Sequence, residues 1–470
     1  MESPRALIAH GLPPSWLVGG DRPIFDATLG DRLTALNAAP PGMVLLAEAD
    51  PSRFLAGFLA ACATGHSVAL ANPRWGLSEW QQAVAIAQPQ VVWGDRPPSI
   101  SLPDPVCSLA LSPPVILIAT GGSSGQLRFA THTWATLTAS VQGFQSFFSQ
   151  KIVNSCCVLP LFHVSGLMQA MRSLLTGGTL AVVDFAALEA GTLPDLDPHD
   201  FFLSLVPTQL QRLLQSPQAH RLTPWLQKIH TLLLGGAPPW PDLLTQARQA
   251  KLHLAPTYGM TETASQIATQ LPADFLAGRS GYRLLPHAQV QIQPEVSTQS
   301  LAATAPGLIR IQASSLAHGY YPHSFTAAPM GGFAAVDPAW AWATDDLGYL
   351  DATGRLQVVG RASDKIITGG ENVFPVEVEA AIWATGGVQD VAVLGVGDRH
   401  WGERVVAFYV PAPHHPATPT LAEAVAAHLS RFKIPKQWVP LATLPRSAQG
   451  KLNRAALLQY LPAAPASEPL

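Results

Sequence analysis

Cysteine is scarce in this chain, and the few cysteines form no recognisable pattern. The 470 residues contain four, Cys62, Cys107, Cys156 and Cys157, with one adjacent pair and no C-x-x-C spacing. Disulfide frameworks and structural zinc sites usually need more cysteines or regular spacings. The sequence therefore indicates neither, and a reducing cytoplasm is the expected setting.

Long apolar runs and a dominant charge are also missing. No apolar stretch approaches the ~20 residues of a membrane-spanning helix, and residues 1–16 lack the basic and apolar regions of a secretion signal. The chain has 28 Lys and Arg against 31 Asp and Glu, a net charge of −3, spread along its length. No surface for nucleic acid or anionic lipid is indicated. We expect a soluble, cytoplasmic protein with no membrane span, no nucleic-acid partner and a small-molecule substrate.

Apolar residues are abundant, at 48% of the chain, which is enough to bury large cores in more than one domain. Short apolar runs at residues 115–119, 180–185 and 231–236 end in Gly or polar turns. Between such runs, residues 52–66 and 137–150 carry apolar side chains at three- and four-residue intervals, as helices covering a sheet do. This alternation predicts an α/β fold.

The character of the sequence changes near residue 361. There a charged, Gly-containing stretch, GRASDKIITGGENVFP, leads into a compact final segment with its own helix and strand patterns. We predict a large N-terminal domain of sheets flanked by helices at residues 1–363. A small, mobile α+β C-terminal domain is expected at 364–470, acting as a lid.

A stretch rich in Gly and Ser follows directly after the apolar run VILIA. It contains Thr120, Gly121, Gly122, Ser123, Ser124 and Gly125, and Arg128 follows three positions later. Glycines let backbone amides converge on an anion, hydroxyls add donors, and an arginine adds charge. The composition predicts a phosphate-binding loop. An ordinary Gly/Ser turn remains an alternative, because neither a Walker A nor a G-x-G-x-x-G pattern is present.

Two later segments combine carboxylates with other polar groups. In the first, Glu262 beside Thr261 is suited to Mg²⁺, and Tyr258, next to Gly259, could stack on a base. The alternative there is a helix start capped by Thr261. In the second, Asp346 could accept hydrogen bonds from both hydroxyls of a ribose with help from Arg361. The alternative is a common turn and a solvated arginine.

A single lysine, Lys451, lies in a Gly-containing segment near the C-terminus, PRSAQGKLNR. Domain movement could bring such a lysine to a phosphoryl group, where it would neutralise developing charge. A solvated charge in a basic tail is the alternative.

In combination and order, these four segments closely resemble the adenylate-forming superfamily of acyl-CoA synthetases, luciferases and peptide-synthetase adenylation domains. The resemblance spans roughly residues 115–454 and includes PLFHVSG at 160–166 and LGGA at 234–237. It implies an acid-thiol ligase that uses ATP and Mg²⁺ to convert a carboxylic acid to an acyl-adenylate. Coenzyme A would then receive the acyl group.

The resemblance also implies roles for individual residues. Residues 120–128 would handle the β- and γ-phosphates, Glu262 would be the Mg²⁺-linked carboxylate, and Lys451 would support adenylation. The remaining assignments are adenine packing by Tyr258 beside Gly235, Gly236 and Ala237, ribose binding by Asp346 and Arg361, a hinge at Asp364, and a pantetheine channel beside Gly369 and Gly370.

Two positions depart from the superfamily's usual pattern. Leu127-Arg128 stands where Pro-Lys is usual, and Asp345 stands where Thr-Gly-Asp has its glycine. Arg128 keeps the charge with a different geometry. The sequence predicts no effect for Asp345.

Within the superfamily, stretches such as LPLFHVSGLMQAMR are most similar to o-succinylbenzoate-CoA ligases of the cyanobacterial type, which act in phylloquinone and menaquinone synthesis. That acid has a second carboxylate, on its ring, so we expect cationic or hydroxyl donors in the pocket. The candidates are His163, Ser165, Thr208 and Arg172. Alternatively, His163 gates the pocket, Thr208 caps a helix after Pro207, and Arg172 faces solvent.

Other functions stay open at this point. The chain could be a ligase for another aryl or acyl acid, such as benzoate or coumarate. Arg128 and Asp345 could instead mark a non-catalytic AMP-binding sensor, although Lys451, Glu262 and the ribose residues argue against it. An adenylation domain charging a carrier protein is less favoured. A dehydrogenase is not supported, because His400 stands where a nucleotide-binding motif beginning at Gly395 needs its third glycine.

Overall fold

The protein is described from a computed structural model, which describes residues 2–101, 113–121, 126–294, 306–322, 342–398, 401–412, 418–426, 429–446 and 452–461. Five residues of the predicted site, Gly122, Ser123, Ser124, Gly125 and Lys451, lie outside these ranges, as does Cys107.

The described residues contain 23 strands. They are β1 (Leu17–Val18), β2 (Met43–Ala47), β3 (Ser67–Leu70), β4 (Val91–Gly94), β5 (Ile116–Gly121), β6 (Leu127–His132), β7 (Asn154–Cys157), β8 (Leu180–Val182), β9 (Phe201–Leu205), β10 (Thr231–Leu234), β11 (Leu254–Met260), β12 (Ser265–Thr269), β13 (Arg283–Leu284), β14 (Ala288–Gln293), β15 (Gly307–Ala313), β16 (Tyr320–Tyr321), β17 (Trp342–Leu350), β18 (Leu356–Arg361), β19 (Ile366–Thr368), β20 (Glu371–Val373), β21 (Val388–Asp398), β22 (Gly402–Pro411) and β23 (Gln437–Pro440).

The same ranges contain 14 α-helices. They are α1 (Pro4–His10), α2 (Arg22–Asn37), α3 (Pro51–Ala63), α4 (Leu77–Ala87), α5 (Trp134–Phe148), α6 (Val164–Thr176), α7 (Phe185–Glu189), α8 (Pro207–Gln215), α9 (Ala219–Lys228), α10 (Pro241–Gln249), α11 (Pro272–Leu276), α12 (Pro375–Ala384), α13 (Thr418–Ala426) and α14 (Arg454–Leu458). None of them is both long and apolar enough to cross a bilayer.

Two large sheets, parallel at their centres, form the core of the N-terminal part. One has eight strands in the order β1-β8-β7-β9-β10-β11-β12-β13, and the other has six in the order β16-β6-β5-β3-β2-β4. In β2 the whole run MVLLA is buried, as expected for a parallel strand with both faces covered. Helix α3 lies in the core against these strands. It starts sharply because Asp50 caps it and Pro51 occupies its first turn.

Two smaller sheets follow along the chain. An antiparallel sheet has the order β14-β15-β17-β18, and a five-stranded sheet has the order β20-β19-β22-β21 with β23 paired to β22. Residues 362–365, which we call the connector, join β18 of the antiparallel sheet to β19 of the five-stranded sheet. The predicted α/β class, with a large N-terminal and a smaller C-terminal part, is confirmed. The boundary expected at residues 363/364 falls in this connector and stays a prediction.

Two local alternatives from the sequence are wrong. The segment around Glu262 does not begin a helix, since Thr261–Thr263 is a single 3₁₀ turn between β11 and β12. Asp345 and Asp346 do not lie in a turn, because both belong to strand β17. At these two residues the pairing of β17 with β15 is irregular, because the register shifts between Leu308 and Arg310.

Candidate active site

The two ends of the predicted phosphate loop are held together by strand pairing. Strands β5 and β6 are antiparallel, with Thr120 opposite Arg128 and Gly121 opposite Leu127. The Leu127 N–H also donates to the Gln82 side chain at 2.9 Å. Residues 122–125, which separate these paired ends in the sequence, are outside the described residues. The arrangement places Arg128 at the end of β6 that adjoins this segment.

Glu262 lies close to Arg128 through an intervening tyrosine. The residue is 9% exposed, and the Tyr320 hydroxyl donates a hydrogen bond to its carboxylate. The Arg128 guanidinium lies over the Tyr320 ring, 5.6 Å from the ring centroid. Burial and the Glu262 charge raise the pKa of Tyr320, so its hydroxyl stays protonated and can donate. Because Mg²⁺ often takes one carboxylate together with substrate phosphates, Glu262 fits the metal-linked role.

A buried histidine holds the turn that carries Glu262. Nε2 of His132 lies 2.8 Å from the Thr261 carbonyl oxygen, and Nδ1 lies 3.1 Å from the Thr136 hydroxyl. Burial lowers the pKa of His132 to about 4, so the ring is neutral at pH 7. With Nε2 protonated, the ring donates to the Thr261 carbonyl. Thr261 is thus fixed through its backbone.

The predicted ribose residues come together on neighbouring strands. Asp346 on β17 lies opposite Arg361 on β18, and the Arg361 Nε lies 3.4 Å from the Asp346 carboxylate. The Tyr258 hydroxyl donates to Oδ2 of Asp346 at 2.7 Å. Burial and the Asp346 charge raise the pKa of Tyr258. One hydrogen bond thereby joins β11 of the eight-stranded sheet to β17 of the antiparallel sheet.

The turn after β10 lies against the residue that precedes Tyr258. A Cβ on Gly235 would stand 2.3 Å from the Thr257 hydroxyl oxygen, so only glycine fits there. Gly236 has φ +84°, a conformation that also favours glycine. This close approach brings the predicted adenine turn, Gly235 to Ala237, beside the β11 segment that carries Tyr258 and Gly259.

The predicted hinge residue is ion-paired. The Asp364 carboxylate pairs with the Arg454 guanidinium. Gly369 and Gly370 form the exposed turn of the β19–β20 hairpin, and the Gly369 N–H donates to the Trp401 carbonyl at 2.8 Å. This hairpin belongs to the five-stranded sheet of the C-terminal part, whereas Asp346 and Arg361 belong to the antiparallel sheet.

Arg172 is buried, which excludes the alternative that it faces solvent. It is 2% exposed on helix α6, and its NH2 group donates to the Ser265 hydroxyl at 3.0 Å and to the Gln266 side-chain oxygen at 3.1 Å. The guanidinium also lies 4.1 Å from the Phe144 ring centroid. Burial lowers the pKa of Arg172 to about 9, which still leaves it charged at pH 7.

The other predicted substrate residues are more dispersed. His163 precedes the first turn of α6, with its ring against Phe162, and Ser165 is exposed in that turn. Thr208 lies in the first turn of α8, but the cap there is the Gln209 side chain, which accepts from the Val206 N–H at 3.1 Å. The alternative that Thr208 caps this helix is therefore wrong.

Comparison with known proteins identifies the family. Residues 93–321 match the AMP-binding enzyme family, and residues 377–451 match the AMP-binding enzyme C-terminal domain. A 2-succinylbenzoate–CoA ligase of Geobacillus sp. (strain WCH70) is 33% identical over 353 residues, covering 73% of this chain and 67% of that protein. A ligase of the same name from Bacillus licheniformis is 31% identical, covering 74% of this chain and 71% of its own. The chain belongs to the AMP-binding enzyme family.

Solved structures of AMP-binding enzymes share the fold. The o-succinylbenzoate CoA synthetase of Bacillus subtilis, in complex with its acyl-adenylate intermediate, matches with a TM-score of 0.80 at 23% identity, covering 97% of this chain and 98% of that one. ATP-bound MatB from Rhodopseudomonas palustris matches with a TM-score of 0.81 at 21% identity, covering 97% and 99%. At these identities the likeness supports the fold alone.

The sequence did not point to several residues that this AMP-binding enzyme places around Glu262, Thr261 and Arg172. They are Tyr320, His132, Ser265, Gln266 and His287. His132, which ends strand β6, and Ser265 and Gln266, which follow the Glu262 turn, had a signal in their closeness to predicted motifs. Tyr320 and His287 come from distant parts of the chain, and no local pattern marks them.

Proposed function

We propose that the chain is a 2-succinylbenzoate–CoA ligase that works through an acyl-adenylate. A carboxylate oxygen of the acid attacks the α-phosphorus of ATP, and pyrophosphate leaves with its bonding electrons. The sulfur of coenzyme A then attacks the acyl carbon, AMP leaves, and the thiol proton passes to solvent. Both half-reactions depend on holding the reactants in line and on stabilising charge on phosphoryl oxygens.

The chain's own residues divide this work. Tyr258, Asp346 and Arg361 orient the nucleoside, and Arg128 faces the phosphates at the end of β6. Glu262 would hold Mg²⁺, which supplies charge neutralisation on the phosphates when bound. Lys451 supports the departure of pyrophosphate, as the family resemblance implies.

The observation that carries the choice of acid is the buried cation at Arg172. Its hydrogen-bond partners, Ser265 and Gln266, are neutral, and no carboxylate among the described residues pairs with it. The Nε of Arg172 also has no hydrogen-bond partner among the residues that the structure describes. A buried charge without a counter-charge is costly. A substrate with a second carboxylate would supply the missing partner.

The position of Arg172 fits that role. Ser265 and Gln266 follow Glu262 by three and four residues, so the guanidinium lies beside the turn assigned to Mg²⁺ and phosphate. His287 also faces Arg172, whose charge adds to burial in lowering the histidine pKa to about 4. Neither ring nitrogen of His287 has a partner among the described side chains and backbone groups. A neutral imidazole could donate a second hydrogen bond to the ring carboxylate.

The decisive experiment compares two acids that differ by one group. The protein with ATP, Mg²⁺ and coenzyme A receives either 2-succinylbenzoate or 4-phenyl-4-oxobutanoate, which lacks the ring carboxylate. Arg172→Met removes the charge while keeping much of the volume. We expect the variant to lose about 100-fold in kcat/KM with 2-succinylbenzoate and only a few-fold with the analogue. Pyrophosphate, AMP and thioester are measured together.

The other outcomes are equally informative. Equal losses with both acids would remove Arg172 from recognition of the ring carboxylate. Turnover only with benzoate or coumarate would keep the ligase mechanism and exclude this acid. Nucleotide binding without pyrophosphate release from any acid would favour the sensor. Lys451→Ala serves as the control that abolishes adenylation.

A further inference from the structure

The turn that carries Glu262 has an unfavourable backbone conformation. We call residues 261–265, which join β11 to β12, the carboxylate turn. Within it, Ala264 has φ +50° and the next residue, Ser265, has φ +93°. Positive φ favours glycine, so two successive residues with side chains in this region make a strained segment. Such a segment keeps its shape only where the surrounding structure holds it.

The two residues with positive φ follow directly after Glu262 and lead into a contact with Arg172. The Glu262 carboxylate accepts from the Tyr320 hydroxyl, and the Ser265 hydroxyl accepts from Arg172 at 3.0 Å. The strained segment therefore connects the carboxylate proposed for Mg²⁺ with the guanidinium proposed for the acid. A change in its conformation would move both groups.

Four consecutive carbonyl groups of the carboxylate turn accept hydrogen bonds from other parts of the chain. The donors come from strand β6, from helix α5 and from the segment between β15 and β16. The pairs are Thr261 with Nε2 of His132 at 2.8 Å, Glu262 with the Ala317 N–H at 2.8 Å, Thr263 with the Ser315 hydroxyl at 2.9 Å, and Ala264 with the Ser140 hydroxyl at 2.7 Å. The turn is thus fixed along its backbone from three separate parts of the fold.

Both serines in this set are buried. Ser140, on α5, is 2% exposed, and Ser315 is 0% exposed. The carbonyl groups that they bind belong to Ala264 and Thr263, which are also 0% exposed. A buried carbonyl that loses its donor is left unsatisfied, which favours a rearrangement of the backbone. Loss of either hydroxyl therefore frees the strained turn to relax.

We propose that Ser140 and Ser315 are positioning residues for adenylation: their hydroxyls hold the carboxylate turn in the conformation that the reaction needs. This inference rests on the proposed function. Ser315 binds the carbonyl next to Glu262, so its loss acts first on Mg²⁺. Ser140 binds the carbonyl next to Ser265, so its loss acts first on the acid. Supporting hydrogen bonds of this kind change metal affinity or activity by about 10- to 100-fold.

The test follows pyrophosphate–ATP exchange in the whole chain, with 2-succinylbenzoate or whichever acid the wild type uses. We expect Ser315→Ala to raise the Mg²⁺ concentration for half-maximal exchange by about 10-fold. Ser140→Ala should raise the KM for the acid by about 10-fold, with a smaller change in the Mg²⁺ requirement. Thermal unfolding of each variant is measured in parallel.

Ser173→Ala is the matched control. The Ser173 hydroxyl is also buried and donates to the Thr179 carbonyl at 2.9 Å, so its removal makes the same chemical change outside the carboxylate turn. All three variants should lower the unfolding temperature by similar amounts, but Ser173→Ala should leave the exchange kinetics unchanged.

A second substitution tests the role of strain. Glycine adopts a positive φ without steric cost, so Ala264→Gly lets the turn keep its conformation with one donor fewer. Added to Ser140→Ala, it should restore part of the affinity for the acid.

Three results would overturn the positioning role. They are kinetic losses of the same size in Ser173→Ala, wild-type kinetics in both Ser140→Ala and Ser315→Ala, and no rescue by Ala264→Gly. In each case an active wild type leaves the proposed function standing. If the wild type exchanges pyrophosphate with no acid, the proposed function fails and this inference with it.

Discussion

At the scale of single residues, Asp345 explains how the chain tolerates the loss of a usual glycine. Asp345 belongs to strand β17 and its φ is not positive, so no glycine conformation is needed, and its carboxylate holds Ser363 in the connector. The side chain is exposed, and such hydrogen bonds contribute about 1 kcal/mol each. A contribution of that size is enough to change how often the connector opens.

We therefore expect Asp345→Gly to open the connector more often. Limited trypsin digestion after Arg361 or Lys365 should be about fivefold faster, because about 1 kcal/mol of local stability is lost. Asp345→Asn keeps an acceptor and should stay near the wild type. If Ser363→Ala adds a further full effect to Asp345→Gly, the two residues do not act through a shared bond.

Tyr320 combines two roles that two substitutions can separate. Tyr320→Phe removes the hydroxyl that donates to Glu262 and keeps the ring beneath Arg128. We expect a higher Mg²⁺ concentration for half-maximal pyrophosphate exchange with little change in the KM for ATP.

Tyr320→Leu should add a rise of about threefold in the KM for ATP, because an exposed cation–π contact is worth about 0.5–1 kcal/mol. Identical kinetics for the two variants would show that the ring does not hold Arg128. Arg128→Lys provides the second arm of a double-mutant cycle.

At the scale of elements, helix α12 makes a side-chain hydrogen bond to the edge of the five-stranded sheet. Glu379 accepts from the Val393 N–H of edge strand β21 at 2.9 Å. Part of the residue reaches the surface, but its carboxyl group lies inside, and burial raises its pKa to about 7. Arg454 opposes this shift, whereas Asp364 and Asp390 add to it.

This pKa predicts a pH-dependent stability. The raised folded-state pKa favours the protonated form, so the contribution of Glu379 is complete below pH 4.5 and is lost as the pH rises to about 7. Glu379→Gln keeps an acceptor without the ionisation. Chemical denaturation should show the variant more stable than the wild type by about 1–3 kcal/mol at pH 8 and similar to it at pH 5. An equal difference at both pH values would exclude this explanation.

Part of the fold and of the candidate site could be predicted from the sequence, and part could not. The α/β class, the family and the order of the four motifs follow from local patterns, since apolar periodicity and Gly-rich turns reflect backbone needs. Tyr320 and His287 could not be predicted, because the groups that they face, Glu262 and Arg172, are distant along the chain and approach them only in the folded protein. The role of Asp345 could not be predicted either, because it depends on hydrogen bonds to Ser363, which follows the neighbouring strand β18. The roles of Glu262, Asp346 and Lys451 stay predictions.

At the scale of the whole molecule, a pair of stacked tryptophans joins the two parts. Trp240, just after the adenine turn and before α10, lies parallel to Trp383 of α12, with centroids 4.6 Å apart and planes 7° from parallel. Such a pair contributes about 0.5–1.5 kcal/mol beyond its buried area. Loss of the pair would weaken the contact between the two parts by about that amount.

Replacing either tryptophan should therefore release the C-terminal part. Trp383→Ala is expected to increase the radius of gyration in small-angle X-ray scattering and to change the ratio of the two half-reaction rates. Trp240→Phe should retain part of the contact. An unchanged scattering profile for Trp383→Ala would mean that other contacts hold the two parts together.

The buried guanidinium of Arg172 has a consequence for the life of the protein in a cell. If the acid supplies the counter-charge of Arg172, the folded protein without acid is less stable by the cost of burying that charge. Binding of the acid to the folded state removes this cost and stabilises the protein. Changes of about 1–2 kcal/mol can alter cellular abundance several-fold through proteolytic turnover. The enzyme would then persist where its substrate is being made and be degraded faster where it is not.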